Sequence, residues 1–304
     1  LLVFGSNGLV GSSLKRLFEN SNLFNSTYFS TRKDTNLFSL DETSKLISEF
    51  SPDIVINAAA RVGGIYANNT ERTDFLMENL KINLNILESC IPNNKIKIIN
   101  LGSSCIYPLN AENPIAENSF MTGVLEPTNS PYAMAKLTAI ELGESLKIQY
   151  GHEVINLMPT NLYGPNDNFS SESSHVIPGL IKRMYSAHEH NEDSFSIWGT
   201  GKPLREFLYV DDLALSIKFI IENKIVESLI NIGSGEEISI LSLAEKIQNI
   251  IGYKGKLIFD SSKPDGNPRK LLDSSLINNY GWKSINTLDT GLRMTYDWFI
   301  SNEI

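Results

Sequence analysis

The chain is poor in several features that would announce a function directly. It has two cysteines, Cys90 and Cys105, and four histidines in 304 residues. Two thiols make a disulfide framework an unlikely design and suit a reducing compartment. Cys90 falls in a helical pattern and reads as a buried helix residue. Four histidines without tight Cys/His spacing offer nothing for a metal centre, so none is expected. No uninterrupted apolar run approaches the length of a membrane span. Basic residues are outnumbered, 26 Lys and Arg against 35 Asp and Glu, a net charge of -9. That balance argues against nucleic acid or an anionic membrane as a partner, while leaving room for a local basic pocket around a phosphate. A soluble cytoplasmic protein is expected. The chain opens inside a predicted strand without an initiator Met, so a short preceding piece is expected and a removed signal stays open.

What is present is regular alternation. A content of 41% hydrophobic and 20% charged residues is ordinary for a globular enzyme with a substantial core. Residues 1–4, 27–30, 53–56, 96–101 and 154–157 read as strands, and helical patterns lie near 9–20, 41–50, 71–90 and 132–150. Pro52, Pro92 and Pro131 punctuate their ends. This is the pattern of an α/β fold, a doubly wound parallel sheet covered on both faces. After Pro159 the alternation gives way to loops rich in Asn, Gly, Ser and Pro, then returns with a helix from Asp211 and a strand at 229–232. We expect a first domain over 1–164 with a return segment 207–232. A smaller, discontinuous domain over 165–206 and 233–304 would cover the carboxyl edge of the sheet, where such folds bind ligands.

Gly5-Ser6-Asn7-Gly8-Leu9-Val10-Gly11 follows a strand and opens a helix. Small residues let the backbone approach a pyrophosphate, and the helix start supplies free amides and partial positive charge. In this context the pattern is a Rossmann-like dinucleotide fingerprint rather than a plain tight turn. Asn57-Ala58-Ala59-Ala60 adds a second wall of small residues. At the end of the second strand an acid would bind a ribose 2′-hydroxyl and a base a 2′-phosphate. The sequence there is Ser30-Thr31-Arg32-Lys33, with no acid before Asp34. NADP(H) is therefore favoured over NAD, with Arg32 as the phosphate partner; the competing reading of Arg32 is a solvated turn residue.

Ser103-Ser104-Cys105 and Tyr132-Ala-Met-Ala-Lys136 carry the chemistry. A Tyr and a Lys at this spacing share one helix face. An ammonium there is expected to lower the phenol's pKa, by roughly 1 to 3 units for a close opposite charge. Tyr132 as acid, Ser103 as second donor and Lys136 as tuner meet the proton half of ketone reduction. Simple reduction gives Cys105 no role.

These motifs resemble the extended short-chain dehydrogenase/reductase family over essentially the whole chain. Within it the resemblance is closest to the epimerase-reductases of GDP-4-keto-6-deoxymannose. It rests on Val62-Gly63-Gly64-Ile65, on Gly102 to Pro108, on Leu125-Glu126-Pro127-Thr128-Asn129 and on Met158 to Pro165. Further matches are Ser174-His175-Val176-Ile177-Pro178, Arg205-Glu206-Phe207-Leu208 and Lys263-Pro264-Asp265-Gly266. The resemblance implies NADPH-dependent 3,5-epimerisation and 4-keto reduction of a GDP-linked 4-keto-6-deoxy sugar, giving GDP-L-fucose. Inverting a centre next to a ketone needs a base on one face and an acid on the other. Cys105 as thiolate and His175 as acid suit that need. By the same carry-over Leu101, Gly102, Ser103, Ser104, Tyr132, Lys136, Pro159, Thr160, Asn161, Leu162 and His175 line the cofactor. Arg183, Trp198, Arg205 and Asp265 would contact substrate, the guanidinium forks meeting its diphosphate. A homodimer through the helices near 71–90 and 132–150 is also implied.

Blander readings stay open beside these. Cys105 alone reads as a small buried hydrophobe, and His175 as a residue near a helix start. Arg183, Trp198, Arg205 and Asp265 each read singly as salt-bridge, packing or turn residues. His152 lies in a helix-to-strand turn and His188 and His190 in a polar loop, with no function assigned. One departure stands out: family members commonly carry Arg at the position of Asn7, so phosphate binding here rests on Arg32 or Lys33. A GDP-colitose precursor as substrate and a non-catalytic NADP-binding sensor are the alternatives. A 4,6-dehydratase is disfavoured, because those relatives carry acids where this chain has Ser104 and Cys105.

Overall fold

The computed structural model describes residues 1–170, 174–262 and 265–304. Lys263 and Pro264, quoted above within a motif, lie outside them, as does Ser173 beside His175. The first part runs Leu2–Phe4 (β1), Leu9–Phe18 (α1), Tyr28–Ser30 (β2), Leu40–Phe50 (α2), Ile54–Asn57 (β3), Ile65–Thr70 (α3) and Arg72–Cys90 (α4). It continues with Lys97–Leu101 (β4), Ser130–Tyr150 (α5) and Val154–Pro159 (β5). Then come Asn161–Tyr163 (β6), Val176–Glu189 (α6), Ser194–Trp198 (β7), Leu204–Tyr209 (β8), Val210–Glu222 (α7) and Leu229–Ile232 (β9). Glu237–Ser239 (β10), Ile240–Ile251 (α8), Lys256–Asp260 (β11), Arg269–Lys270 (β12), Ser275–Asn279 (α9) and Leu288–Asn302 (α10) complete the order.

A six-stranded sheet in the order β2-β1-β3-β4-β5-β9 is parallel throughout. Its side chains alternate between two cores, as the two-residue period of a strand requires. Val3, Ile56, Ile99 and Ile155 pack against α1 and α7, while Leu2, Phe4, Val55, Ile98 and Val154 pack against α2, α4 and α5. Both faces are thus buried, which is why these strands read as continuous apolar runs. One polar row interrupts them. Asn57, Asn100 and Asn156 stand in register on β3, β4 and β5 and are joined by buried amide bonds of 3.0 and 3.1 Å. The Asn57 amide belongs to this ladder, so the cofactor wall expected from Asn57-Ala58-Ala59-Ala60 is left to the alanines.

The second half is less loop-like than the sequence suggests. Strand β8 is the hub of a small mixed sheet, antiparallel to β10 and parallel to β6 and β12, and β7 pairs with β11. A third core holds Ile177, Leu180, Ile181 and Met184 of α6 with residues of β7, β8, α8 and α10. Within β8, Leu208 faces the first core and Phe207 and Tyr209 the third. The polar loop expected at His188 and His190 is a correction: His188 is in the last turn of α6 and His190 caps it. The polar tail of the helix hid its apolar spacing.

Candidate functional site

The glycine turn between β1 and α1 has the geometry its composition requires. Gly5 has φ +79°, and a Cβ there would lie 2.7 Å from the Ala59 backbone. A Cβ on Gly11 would collide with the Gly5 carbonyl, so the helix and the turn pack at backbone distance. Gly8 caps α1 without any side-chain bond, leaving the first-turn amides of Leu9 and Val10 available. Ser6 is buried and its hydroxyl donates to the Ser30 carbonyl at 2.9 Å, tying the turn to β2. Any contact from Ser6 to a cofactor would come from another atom. Asn7 is exposed beside it. Arg32 and Lys33 are exposed in the turn after β2, whereas the Asp34 carboxylate is bonded to Thr31 N and Oγ1. Those bonds hold the Asp34 carboxyl below its ordinary range.

At the end of β4 the chain enters a short 3-10 turn over Ser104–Ile106. Gly102 packs against Met158, and Ser104 is buried. Ser103 Oγ accepts from Cys105 N at 3.2 Å and is hydrogen-bonded to the Tyr132 phenol. Tyr132 is in the first turn of α5 and Lys136 one turn later, as the spacing predicts. Lys136 is 2% exposed and donates to the Leu101 carbonyl at 2.7 Å. Its expected effect on Tyr132 is corrected by the geometry. Desolvation dominates both groups: it pushes the Tyr132 phenol up and brings Lys136 down to about 8. The proximity of Cys105 adds to the rise of Tyr132, and the Ser103 bond opposes it.

Two residues that the sequence reading left without a role meet the sulfur. Asn129 Nδ2 lies 3.5 Å from Cys105 Sγ and Lys270 Nζ 3.6 Å. Asn129 is the N-cap of α5, held by Glu126 through its backbone amide. Cys105 is partly exposed rather than a core hydrophobe. Cys90, by contrast, is fully buried, and burial pushes its thiol up to about 12.

His175 caps α6 with its backbone and makes no side-chain capping bond. Its Nδ1 lies 3.9 Å from Asp167 Oδ1, and Asp167 Oδ2 is buried without a partner. No hydrogen bond or ion pair among the described residues joins His175 to Cys105. Arg183 stacks on Trp198, 4.6 Å from the ring, and donates to the Ser196 carbonyl. Arg205 reaches the Asp265 carbonyl at 3.3 Å. Burial lowers the pKa of both guanidinium groups. The Asp265 carboxylate is bonded to Thr200 N and Oγ1. Thr160 Oγ1 and Asn161 Nδ2 both donate to the Glu206 carbonyl, so these side chains brace β8 against β5. Leu162 packs on the first core and Pro159 pairs with Ile232.

The sequence profile of the NAD dependent epimerase/dehydratase family matches residues 1–233. The chain belongs to this family. Among its relatives, the probable GDP-L-fucose synthase 1 of Oryza sativa subsp. japonica is 44% identical over 305 residues, covering 100% of this chain and 93% of that one. The GDP-L-fucose synthase of Escherichia coli K12 is 42% identical, covering 100% and 97%. A solved gdp-l-fucose synthetase from Naegleria fowleri, bound to NADP, superposes with a TM-score of 0.90 at 28% identity, covering 99% and 94%. A nicotinamide cofactor fits this glycine turn, where Gly8 carries no side chain and makes no side-chain capping bond at the start of α1.

Proposed function

We propose that this family member converts GDP-4-dehydro-6-deoxy-D-mannose to GDP-L-fucose by 3,5-epimerisation and NADPH-dependent reduction at C4. The observation that carries this reading is the cluster of Ser103, Tyr132 and Lys136 with the partly exposed Cys105 thiol beside them. Full-length relatives named GDP-L-fucose synthase support the substrate.

The cofactor supplies the hydride for C4 when bound. The backbone of residues 5–11 with residues 101–104 and 159–162 would hold it, and Arg32 would take a 2′-phosphate. The closed Thr31–Asp34 turn supports NADP over NAD, because its only acid is already hydrogen-bonded. Cys105 as thiolate removes a proton from C3 or C5. The C–H pair moves into the enolate, and Tyr132 and Ser103 hold the developing charge on O4. His175 returns a proton to the opposite face. Repetition at the second centre is followed by reduction, in which Tyr132 protonates O4. Arg183, Arg205 and Trp198 bind the nucleotide, the Arg183–Trp198 stack supporting a flat base and the two guanidinium groups a diphosphate.

Residues 1–164 and 207–232 are read as the NADP-binding part, and 165–206 with 233–304 as the substrate-binding part. A homodimer is supported by exposed apolar residues, Met77 and Leu84 on α4 and Met134 and Ile148 on α5. Light scattering at a monomer mass would contradict it. No described helix is long and apolar enough to cross a membrane. A cytoplasmic location is supported by two unpaired thiols. The test of function is product identification: GDP-4-dehydro-6-deoxy-D-mannose and NADPH should give GDP-L-fucose by NMR, and an unchanged substrate would refute the reading.

A further inference from the structure

Cys105 Sγ is approached by two nitrogen donors from different parts of the chain. Asn129 Nδ2 stands 3.5 Å away and Lys270 Nζ 3.6 Å away. A neutral thiol is a weak acceptor, whereas a thiolate takes several N–H donors. Two donors converging on one sulfur therefore describe a site built for the anion.

Lys270 is held there by its strand. It ends β12, where its Cα pairs with that of Arg205 on β8. Strand β12 is pinned on both sides. Arg269 is ion-paired with Glu237, and Leu272 N donates to Glu206 Oε2, a fully buried carboxylate, at 3.1 Å. Among the described residues no carboxylate lies within 4.0 Å of Lys270 Nζ, so the sulfur is the acceptor this ammonium meets. Arg205 also faces Cys105 electrostatically, but its guanidinium donates to the Leu204 and Asp265 carbonyls. Tyr132 faces the sulfur from α5. Among the described residues the charged and titratable groups that face Cys105 are thus two cations, Lys270 and Arg205, and one phenol, Tyr132.

We infer that Lys270 is the counter-ion of Cys105, a positioning residue that keeps the sulfur anionic and aimed between itself and Asn129 for proton abstraction. This rests on the reading of Cys105 as the epimerisation base. In that step the thiolate takes a proton from the carbon beside the C4 ketone, the C–H bond breaks, an S–H bond forms, and the electron pair enters the enolate. The negative charge passes from sulfur to O4. Lys270 then faces a neutral thiol, which favours loss of that proton to solvent and resets the base for the second centre. No oxidant or reductant is involved.

The test is alkylation of Cys105 by iodoacetamide as a function of pH, with the label located by mass spectrometry, on wild-type protein, Lys270→Met, Lys270→Gln and Lys270→Arg. The two neutral variants should move the midpoint of the rate profile up by about one pH unit or more. Lys270→Arg, which keeps the charge, should stay near wild type. The neutral variants should also lose C3 and C5 exchange at least tenfold with the NADPH Kd unchanged. An unmoved alkylation profile, with the KM for the GDP-sugar raised instead, would make Lys270 a phosphate ligand and overturn the inference. So would an equal shift in Lys270→Arg. The profile needs no substrate, so a wrong assignment of the sugar would leave this result standing.

Discussion

Lys136 stands over the Tyr132 ring, its Nζ 5.7 Å from the ring centroid, while its hydrogen bond goes to the Leu101 carbonyl. Among the described residues no anion pairs with this buried ammonium, and its pKa falls from 10.5 to about 8. Below the folded value Lys136 is charged in both states and burial opposes folding. Between about 8 and 10.5 the unfolded chain binds the extra proton, so stability rises with pH there. Relative to Lys136→Met, wild-type stability should climb by on the order of 3 kcal/mol across that window. Urea melts at a series of pH values check this, and parallel curves would contradict it. The same variant should lose reductase activity.

Arg32 is the proposed discriminator between cofactors. Arg32→Ala should raise the Kd for NADPH by about 10- to 100-fold, the size of one charge-assisted contact. The NADH affinity should stay where it was. Fluorescence titration with both nucleotides decides it, and equal losses for the two would leave Arg32 a solvated turn residue.

Glu206 is buried and acts only as an acceptor, from Gly235 N at 2.8 Å and Leu272 N at 3.1 Å. Burial raises its pKa, those bonds opposing. Glu206→Gln keeps the shape but turns an NH2 toward a backbone donor, which should cost about 1–3 kcal/mol of stability for each donor left unpaired. It should also raise the KM for the GDP-sugar, because β12 and Arg205 lose their brace. Denaturant melts and steady-state kinetics test the two effects together.

Asp167 Oδ1 lies 3.9 Å from His175 Nδ1, close enough to orient the ring when substrate is bound. Asp167→Asn should slow C3 and C5 exchange at least about tenfold, part of the roughly 10²–10⁴-fold that a positioned acid supplies. Reduction of a substrate analogue that needs no inversion should persist. A uniform loss of both activities would mean that Asp167 is structural.

The first half of this fold was legible because its central strands are buried on both faces, so apolar runs, glycines and prolines mark its elements within a few residues. Short α3, in the motif Gly63-Gly64-Ile65, and the Asn57–Asn100–Asn156 ladder were not, since neither leaves an apolar period. In the second half, strands of two to six residues pair across long separations, and β11 is largely exposed, which erases alternation. The candidate site divides the same way. Tyr132 and Lys136 are one helical turn apart and announce themselves. Lys270 sits in an Arg-Lys pair that reads as surface charge, and only β12 docking on β8 brings it to Cys105. Asn129 belonged to a recognised motif, but its role depends on that same long-range contact. The sign of the Tyr132 shift was missed because sequence carries spacing and not desolvation.

In the proposed reaction one ketone site serves both inversion and reduction. Turnover of GDP-4-dehydro-6-deoxy-D-mannose with NADPH in deuterated water measures both at once. GDP-L-fucose carrying deuterium at C3 and C5 is the expected product, with label lost in Cys105→Ser while NADPH still binds. Reduction without label at either carbon would contradict the account.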